Sequence, residues 1–315
     1  MNLYAIRRVG LAIPTLFILS VMVFLIVRVL PGDVVTILSE GMAATPEQLQ
    51  SERRRLGLDR PLYDQYIAWT SALARGDMGN SLWSGRPVGE ELLSKLPVTA
   101  ELGILALLFS VSIGVPAGIV SAVKRDTAPD YLGRSIAVIG LAVPNFWLAT
   151  VILIGLSLIV GWVPQLTYVP IWIDPWQNVV QFIMPAMVLG THLSALVMRI
   201  TRTTMLDVLN QDYVRTAWAK GLKASTVVAR HALRNALIPV ITVIGLETAQ
   251  VAGGSIVMEA IFGLPGVGKY VFDVILVRDY PAVQGVMLYL GAFVIIVNLM
   301  VDVSLAYFDP RIRYR

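Results

Sequence analysis

LGILALLFSVSIGVPAGIVSAV, Leu102–Val123, carries no charged side chain in 22 residues. At about 1.5 Å per residue, a helix of that length spans roughly 30 Å, the thickness of a bilayer's hydrocarbon. Backbone polar groups find no water there, so a stretch of this kind is stable only as a helix. Four further stretches share the property, Val9–Val27, Ser135–Val160, Val179–Met198 and Val283–Val301, and a fifth, Ala236–Val257, is interrupted only by Glu247. The spacing predicts an all-α, polytopic membrane protein with six transmembrane helices. Composition agrees: 56% of the 315 residues are hydrophobic and 15% charged, too little charge to cover a soluble domain of this length. The absence of cysteine excludes disulfide and thiolate chemistry, and a net charge of +4 gives no footing for nucleic acid.

The positions of the basic residues set the expected orientation. Lys124–Arg134 holds three, Arg199–Arg234 seven, the N-terminus two (Arg7 and Arg8) and the C-terminus three. On the other side, Gly161–Asn178 holds none and Met258–Ala282 two. Short loops rich in Lys and Arg stay cytoplasmic, so both termini are expected in the cytoplasm. Arg28–Glu101, although it holds eight, is long enough to translocate regardless of charge and is placed outside. Arg7 and Arg8 before an apolar run resemble a signal peptide, but the run is too long for one and no small-residue cleavage site follows. Three regions result: a first span (1–27), an external loop domain (28–101) and a five-helix core (102–315) with a cytoplasmic segment at 199–234.

Within the external region, Ser51–Leu58 and Pro61–Arg75 predict two short helices, the second with Leu62, Tyr66, Trp69 and Leu73 at helical spacing. Gly76-Asp77-Met78-Gly79 then breaks the chain. Pro14, Pro116, Pro144, Pro185 and Pro239 lie inside apolar runs and are expected as kinks, whose freed backbone groups neighbouring helices satisfy. Ala252-Gly253-Gly254-Ser255 supplies small residues for close helix packing.

The segment 199–234 carries the most functional information. Met205–Lys220 predicts an amphipathic helix with Leu206, Leu209, Tyr213 and Ala217 on one face and Val214 and Trp218 beside it. Gly221 stands where a helix ends in a left-handed residue, and Ser225 is placed to cap the next. A helix–glycine–helix dense in Lys and Arg suits two roles equally, a docking knob for a partner protein or a basic helix on anionic lipid.

At these residues the chain resembles the permease subunits of binding-protein-dependent ABC importers, in their dipeptide/oligopeptide branch. The family's cytoplasmic signature reads EAA, three residues, Gly, nine residues, I-x-L-P. Here Arg215-Thr216-Ala217 stands at EAA, Gly221 is in place and Leu233 matches the Leu, while Arg215, Thr216, His231 and Arg234 depart from it. DYVRTAWAKGL (Asp212–Leu222) and HALRNALIPV (His231–Val240) are similar to the peptide branch. So are LPGD (Leu30–Asp33), LGLDRPLYDQY (Leu56–Tyr66), GDMGNS (Gly76–Ser81) and GGSIVMEAIFGLPGVGKYVFDVILVRDYPAVQG (Gly253–Gly285). The resemblance implies a type I ABC importer transmembrane domain in the inner membrane, paired with a second permease subunit. It also implies two cytoplasmic ATPase subunits, which would bind ATP and magnesium, and an external substrate-binding protein. It favours the docking role for the cytoplasmic segment, with Tyr213, Arg215, Thr216, Ala217, Trp218 and Gly221 as the residues that couple to the ATPases. No cofactor is expected on this chain.

Two features resemble chemistry. Gly263–Lys269 fits G-x-x-x-x-G-K, but Tyr270 replaces the Ser or Thr that holds magnesium and a transmembrane helix precedes it in place of a strand. Nucleotide binding there is not expected. With only His192 and His231, no H-E-x-x-H is possible, and no G-x-S-x-G occurs, so the chain is not expected to be an enzyme. Glu247 is the one carboxyl deep in an expected span, where a charge costs roughly 2.5–3.5 kcal/mol, and Gln250 shares its face. The pair reads either as a polar lining of a substrate path or as a carboxyl satisfied within the bundle. A secondary transporter or channel is the competing class, and it would call for several intramembrane charges or broken-helix ion sites.

Overall fold

In a computed structural model the chain is described over residues 2–29, 46–55 and 57–308. LPGD at Leu30–Asp33, Leu56 and the three C-terminal arginines lie outside the described residues. Among the described residues all regular structure is helical apart from one isolated bridge between Asn80 and Pro87.

The spine is α4, the fourth helix in chain order, Val88–Val123. Before it come α1 (Asn2–Val29), α2 (Pro46–Arg55) and α3 (Leu62–Leu73). Val98, Leu102, Ala106, Ser110, Gly114, Gly118 and Ala122 recur every fourth residue along α4, and all are buried. This stripe of mostly small side chains forms the most extensive helix pair in the molecule, with α7 (Pro175–Leu209). A Cβ added at Gly114 would sit 2.7 Å from the Ser194 carbonyl oxygen, and one at Gly118 would sit 2.7 Å from that of Met198. Only glycine allows two helix backbones this close, which is how helices associate where lipid removes the hydrophobic drive.

Between α4 and α7 lie α5 (Ala128–Ala142) and α6 (Asn145–Val160), bent by 95° at Val143-Pro144. The expected single span Ser135–Val160 is therefore corrected to two helices. Proline lacks a donor and forces the residue before it out of helical geometry, and Val143 is extended at ψ 122°. Pro14, Pro116, Pro185 and Pro239 do stay inside continuous helices. After α7 come α8 (Asp212–Ala219), α9 (Ala224–Thr226), a π-helical turn (Val227–Leu233), α10 (Arg234–Phe262), α11 (Val267–Leu276) and α12 (Tyr280–Phe308). Among the described residues, five helices are long and apolar enough to cross a membrane, or up to seven crossings if each of two bent pairs counts as one span. The second bent pair is the end of α10 with α11, at 78°. Leu158, Ile159 and Val160 of α6 and Ile13, Phe17 and Ile18 of α1 are exposed, as lipid-facing side chains are.

Of the two short helices expected in this region, α3 falls within Pro61–Arg75, whereas α2 (Pro46–Arg55) begins earlier than the expected Ser51–Leu58 and stops before Gly57. Gly76 and Gly79 both take the left-handed conformation that ends the region. α3 packs on the end of α1: Phe24 meets the rings of Tyr66 and Trp69 at 5.2 and 5.9 Å, and Ser20 shares a hydrogen bond with the Tyr66 hydroxyl.

Candidate functional site

The basic segment after α7 is built as three short pieces. The expected continuous helix Met205–Lys220 is corrected: α7 ends at Leu209 and α8 starts at Asp212. Asn210 and Gln211 cause the break, since their side-chain amides donate to the carbonyls of Leu206 (3.0 Å) and Asp207 (3.3 Å). These bonds satisfy last-turn acceptors that a continuing helix would have used. The chain then turns so that Val214 and Ala217 bury against Val227, beside Val208 and Leu209. Ala217 is thus a packing residue. Tyr213, Arg215, Thr216 and Trp218 are exposed on the other side of α8.

Gly221 takes φ +74°, and its N–H donates to the Trp218 carbonyl at 2.9 Å. The next helix begins at Ala224, after an extended Lys223, so Ser225 lies inside the helix and does not cap it. The Tyr213 hydroxyl accepts a hydrogen bond from Asn235 at 2.7 Å, which ties α8 to the start of α10. Two of the stretches singled out in the sequence, 212–222 and 231–240, therefore meet. Arg215 pairs with Asp212 at 3.3 Å on the open surface, where such a pair contributes little. Behind it, Ala122 of α4, Met205 of α7, Ala232 of the π-helical turn and Ala236 of α10 pack into one buried cluster.

Beside it lies an ion pair that the sequence did not disclose. Arg202 of α7 donates through Nε and Nη2 to the two carboxylate oxygens of Asp130, at 2.7 and 2.8 Å. Ser121 of α4 and the backbone N–H of Asp126 donate to the same carboxylate. Asp130 is fully buried, so α4, α5 and α7 are locked together at the end of the bundle that carries α8. Arg202 had counted only as one of seven basic residues; no local pattern marks its partner 72 residues away. Removing one member of such a pair leaves an uncompensated buried charge, a cost of about 3–5 kcal/mol. Arg202→Ala is therefore expected to lower the thermal midpoint of the purified protein markedly. An unchanged midpoint would show that the pair does not brace the helices.

The opposite end of the bundle explains the G-x-x-x-x-G-K match. Glu259, the last turn of α10, is completely buried, and its Oε2 accepts from the Lys269 backbone N–H at 3.0 Å. Thr99 of α4 accepts from the Val267 N–H at 2.8 Å. The donors at the start of α11 are thus occupied by the protein's own carboxylate and hydroxyl, at a helix terminus that attracts anions. A Cβ at Gly266 would lie on the Glu259 carboxylate, so no space for a phosphate remains. Nearby, Asp279 accepts from Ser81 and from the Leu82 N–H (3.2 Å), joining two more of the quoted stretches across 198 residues.

Glu247 is half-buried, while Gln250 is exposed. Neither lines the apolar cavity of about 240 Å³ between α4, α10 and α12, which Thr248, Val251 and Ser255 face. No cluster of three or more His, Asp or Glu able to hold a metal occurs among the described residues.

Two family patterns cover nearly the whole chain. Residues 114–314 match the binding-protein-dependent transport system inner membrane component, and residues 1–103 match the N-terminal part of the same membrane component. This chain belongs to the binding-protein-dependent transport permeases. It is 41% identical over 312 residues to the glutathione transport system permease protein GsiC of Escherichia coli (strain K12), covering 99% of each chain. It is 40% identical over 332 residues to the dipeptide transport system permease protein DppB of Alkalihalophilus pseudofirmus, again over 99% of each. Among solved structures it resembles the MetNI methionine ABC transporter in an inward-facing conformation, with a TM-score of 0.55 at 16% identity over 69% of this chain and 96% of that one. An amino acid ABC transporter matches at a TM-score of 0.52 and 16% identity, over 70% and 94%. These likenesses establish a shared fold.

Proposed function

We propose that this permease is one of a pair of membrane subunits in an ATP-driven importer, that it passes short peptides inward, and that α8 to Gly221 is the lever on which the ATPases act. The observation that carries the substrate class is full-length identity of 40–41% to permeases named for a dipeptide and for glutathione, itself a tripeptide. Support for the lever is local: Tyr213, Arg215, Thr216 and Trp218 present an exposed surface, while Val214 and Ala217 fix α8 to the helices behind it. ATP and magnesium belong to two cytoplasmic ATPase subunits, and an external binding protein delivers the peptide.

The same reading gives six crossings. Asp130 is bound at one end of the bundle and Tyr168, just beyond α6, hydrogen-bonds Glu101 of α4 toward the other, so α5 and α6 together traverse once. Glu259 and Asp279, by contrast, are both bound at the outer end, through Lys269 and Ser81, so α11 turns back without crossing. Both termini then share the cytoplasmic side. Reporter fusions after residues 124–134 are expected to read as cytoplasmic, and those between 57 and 60 as external. A cytoplasmic signal from the second set would overturn the six-crossing arrangement.

Glu247 and Gln250 are assigned to the peptide path, on a face of α10 that this chain alone leaves partly open. The test is uptake by the complex reconstituted with its ATPases and binding protein. Labelled di- or tripeptide should accumulate only with ATP present, and Glu247→Gln should change the rate while the ATPases still co-purify. Accumulation without ATP would favour a secondary transporter. Loss of the Glu247→Gln protein from the membrane would make that carboxyl structural.

A further inference from the structure

At the outer end of α1 a polar cavity of about 380 Å³ opens between α1, α2 and α3. Among the described residues, three arginines line it, Arg28, Arg54 and Arg60, together with Gln65 and Trp69, and no carboxylate does. Arg28 is held in place from several sides. Its guanidinium lies 3.5 Å over the Phe24 ring, its Nε donates to Gln65 Oε1 at 3.1 Å, and Nη1 donates to the Phe24 carbonyl at 3.3 Å. The Gln65 amide is itself fixed, donating to the Arg60 and Leu58 carbonyls at 2.8 and 3.3 Å. The remaining donor edge of Arg28 is therefore preset, facing a space that two further guanidiniums share. None of the three arginines forms an ion pair among the described residues. Planar guanidiniums that converge on one cavity present donor edges matched to phosphate or carboxylate oxygens.

The surroundings decide the source of that anion. Directly below Arg28, Met22, Leu25 and Ile26 of α1 are exposed, and α3 exposes Leu62, Tyr63 and Ile67. α1 is an apolar helix long enough to cross the bilayer, and Arg28 is its last turn. An arginine at the end of a span, beside a Trp and Tyr, lies at the level of lipid headgroups. We propose that the Arg28–Arg54–Arg60 cavity binds the phosphodiester of an anionic phospholipid, with the acyl chains lying along the exposed faces of α1 and α3. Such a lipid would fasten the external helices to the first span, which α3 otherwise holds through Phe24, Tyr66 and Trp69. The proposal concerns a lipid phosphate on either leaflet, so it is independent of the orientation and of the peptide assignment.

The test uses the assembled transporter in mild detergent, titrated with phosphatidylglycerol and examined by native mass spectrometry. One retained lipid per copy is expected. Arg54 and Arg60 are exposed, so R54A/R60A should leave assembly intact while retention falls roughly 30-fold, at the usual contribution of each basic residue near a headgroup. R54K/R60K keeps the charge but loses the planar fork and should fall between the two. Unchanged retention in R54A/R60A would overturn the proposal. Displacement of the lipid by millimolar inorganic phosphate would also overturn it, making the cavity a site for a free anion. Should R54A/R60A fail to assemble, R54K/R60K decides: retention equal to the unmodified protein rejects the arginine fork.

Discussion

Gly221→Val and Trp218→Ala are expected to abolish peptide-stimulated ATP hydrolysis and uptake in the reconstituted complex, while the separate binding protein keeps its affinity for peptide. At Gly221 the backbone takes φ +74° with nothing within 4 Å of an added Cβ. The barrier to substitution is therefore conformational: a branched residue in the left-handed region costs roughly 1–2 kcal/mol, and the chain relieves it by re-aiming the turn. Since that turn joins α8 to the helix entering the bundle, the lever and its anchor lose their relative placement. Trp218 acts differently. It is 46% exposed and packs in none of the buried clusters, so its truncation costs this chain little. A large exposed aromatic on a docking surface typically supplies 2 kcal/mol or more on binding, roughly 30-fold in affinity. Gly221→Val should thus weaken coupling through geometry and Trp218→Ala through contact, and only the second should be rescued by excess ATPase subunit. Transport by both variants at the unmodified rate would reduce α8 to a basic surface helix.

Gly114→Ala and Gly118→Ala are expected to destabilise the permease, although alanine is the better helix former by about 1 kcal/mol. The sign is what makes the experiment informative. A Cβ at Gly118 would fall 2.6 Å from the Thr201 Cβ and 2.7 Å from the Met198 carbonyl oxygen, and at Gly114 it would meet the Ser194 carbonyl at 2.7 Å. Backbone atoms cannot rotate away, so α4 and α7 must separate along the largest interface in the molecule. Overpacking of this kind costs about 1–3 kcal/mol at one site, and the double substitution should remove folded protein from the membrane. Gly155, in α6, has nothing within 4 Å of an added Cβ and provides the control. Gly155→Ala should accumulate normally. Equal accumulation and thermal midpoint for all three single variants would mean that the α4–α7 contact tolerates expansion.

Hydrophobic length and basic-residue asymmetry are one-dimensional properties, and they sufficed for a polytopic helical protein with its charged segments at one face. The left-handed Gly221 was legible for a similar reason, since only local backbone sterics are involved. Motif spacing was enough to place the chain in its permease family, which the full-length matches establish. The bend at Pro144 was not legible. Pro14, Pro97, Pro116, Pro185 and Pro239 sit within continuous helices, and whether a proline kinks or breaks a helix depends on which neighbours satisfy the freed backbone groups. The break after Leu209 was likewise hidden, because Asn210 and Gln211 cap a helix only once α8 has somewhere to bury Val214 and Ala217.

The carboxylates separate the two kinds of knowledge most clearly. Glu247 attracted notice because it lies alone in an apolar run, whereas Asp130, Glu259 and Asp279 lie near helix ends, outside the expected spans. Yet those three are the buried ones, at 0%, 0% and 2% exposure. Each is bound by a donor from a different part of the chain: Arg202, Thr99 with the Lys269 amide, and Ser81. What a carboxylate does is fixed by the donors that reach it, and donors tens to hundreds of residues away are gathered only when the helices pack. By itself the sequence determined that this protein is a helical membrane permease. The tertiary structure alone decided which charges brace it, because burial and pairing are properties of neighbours in space.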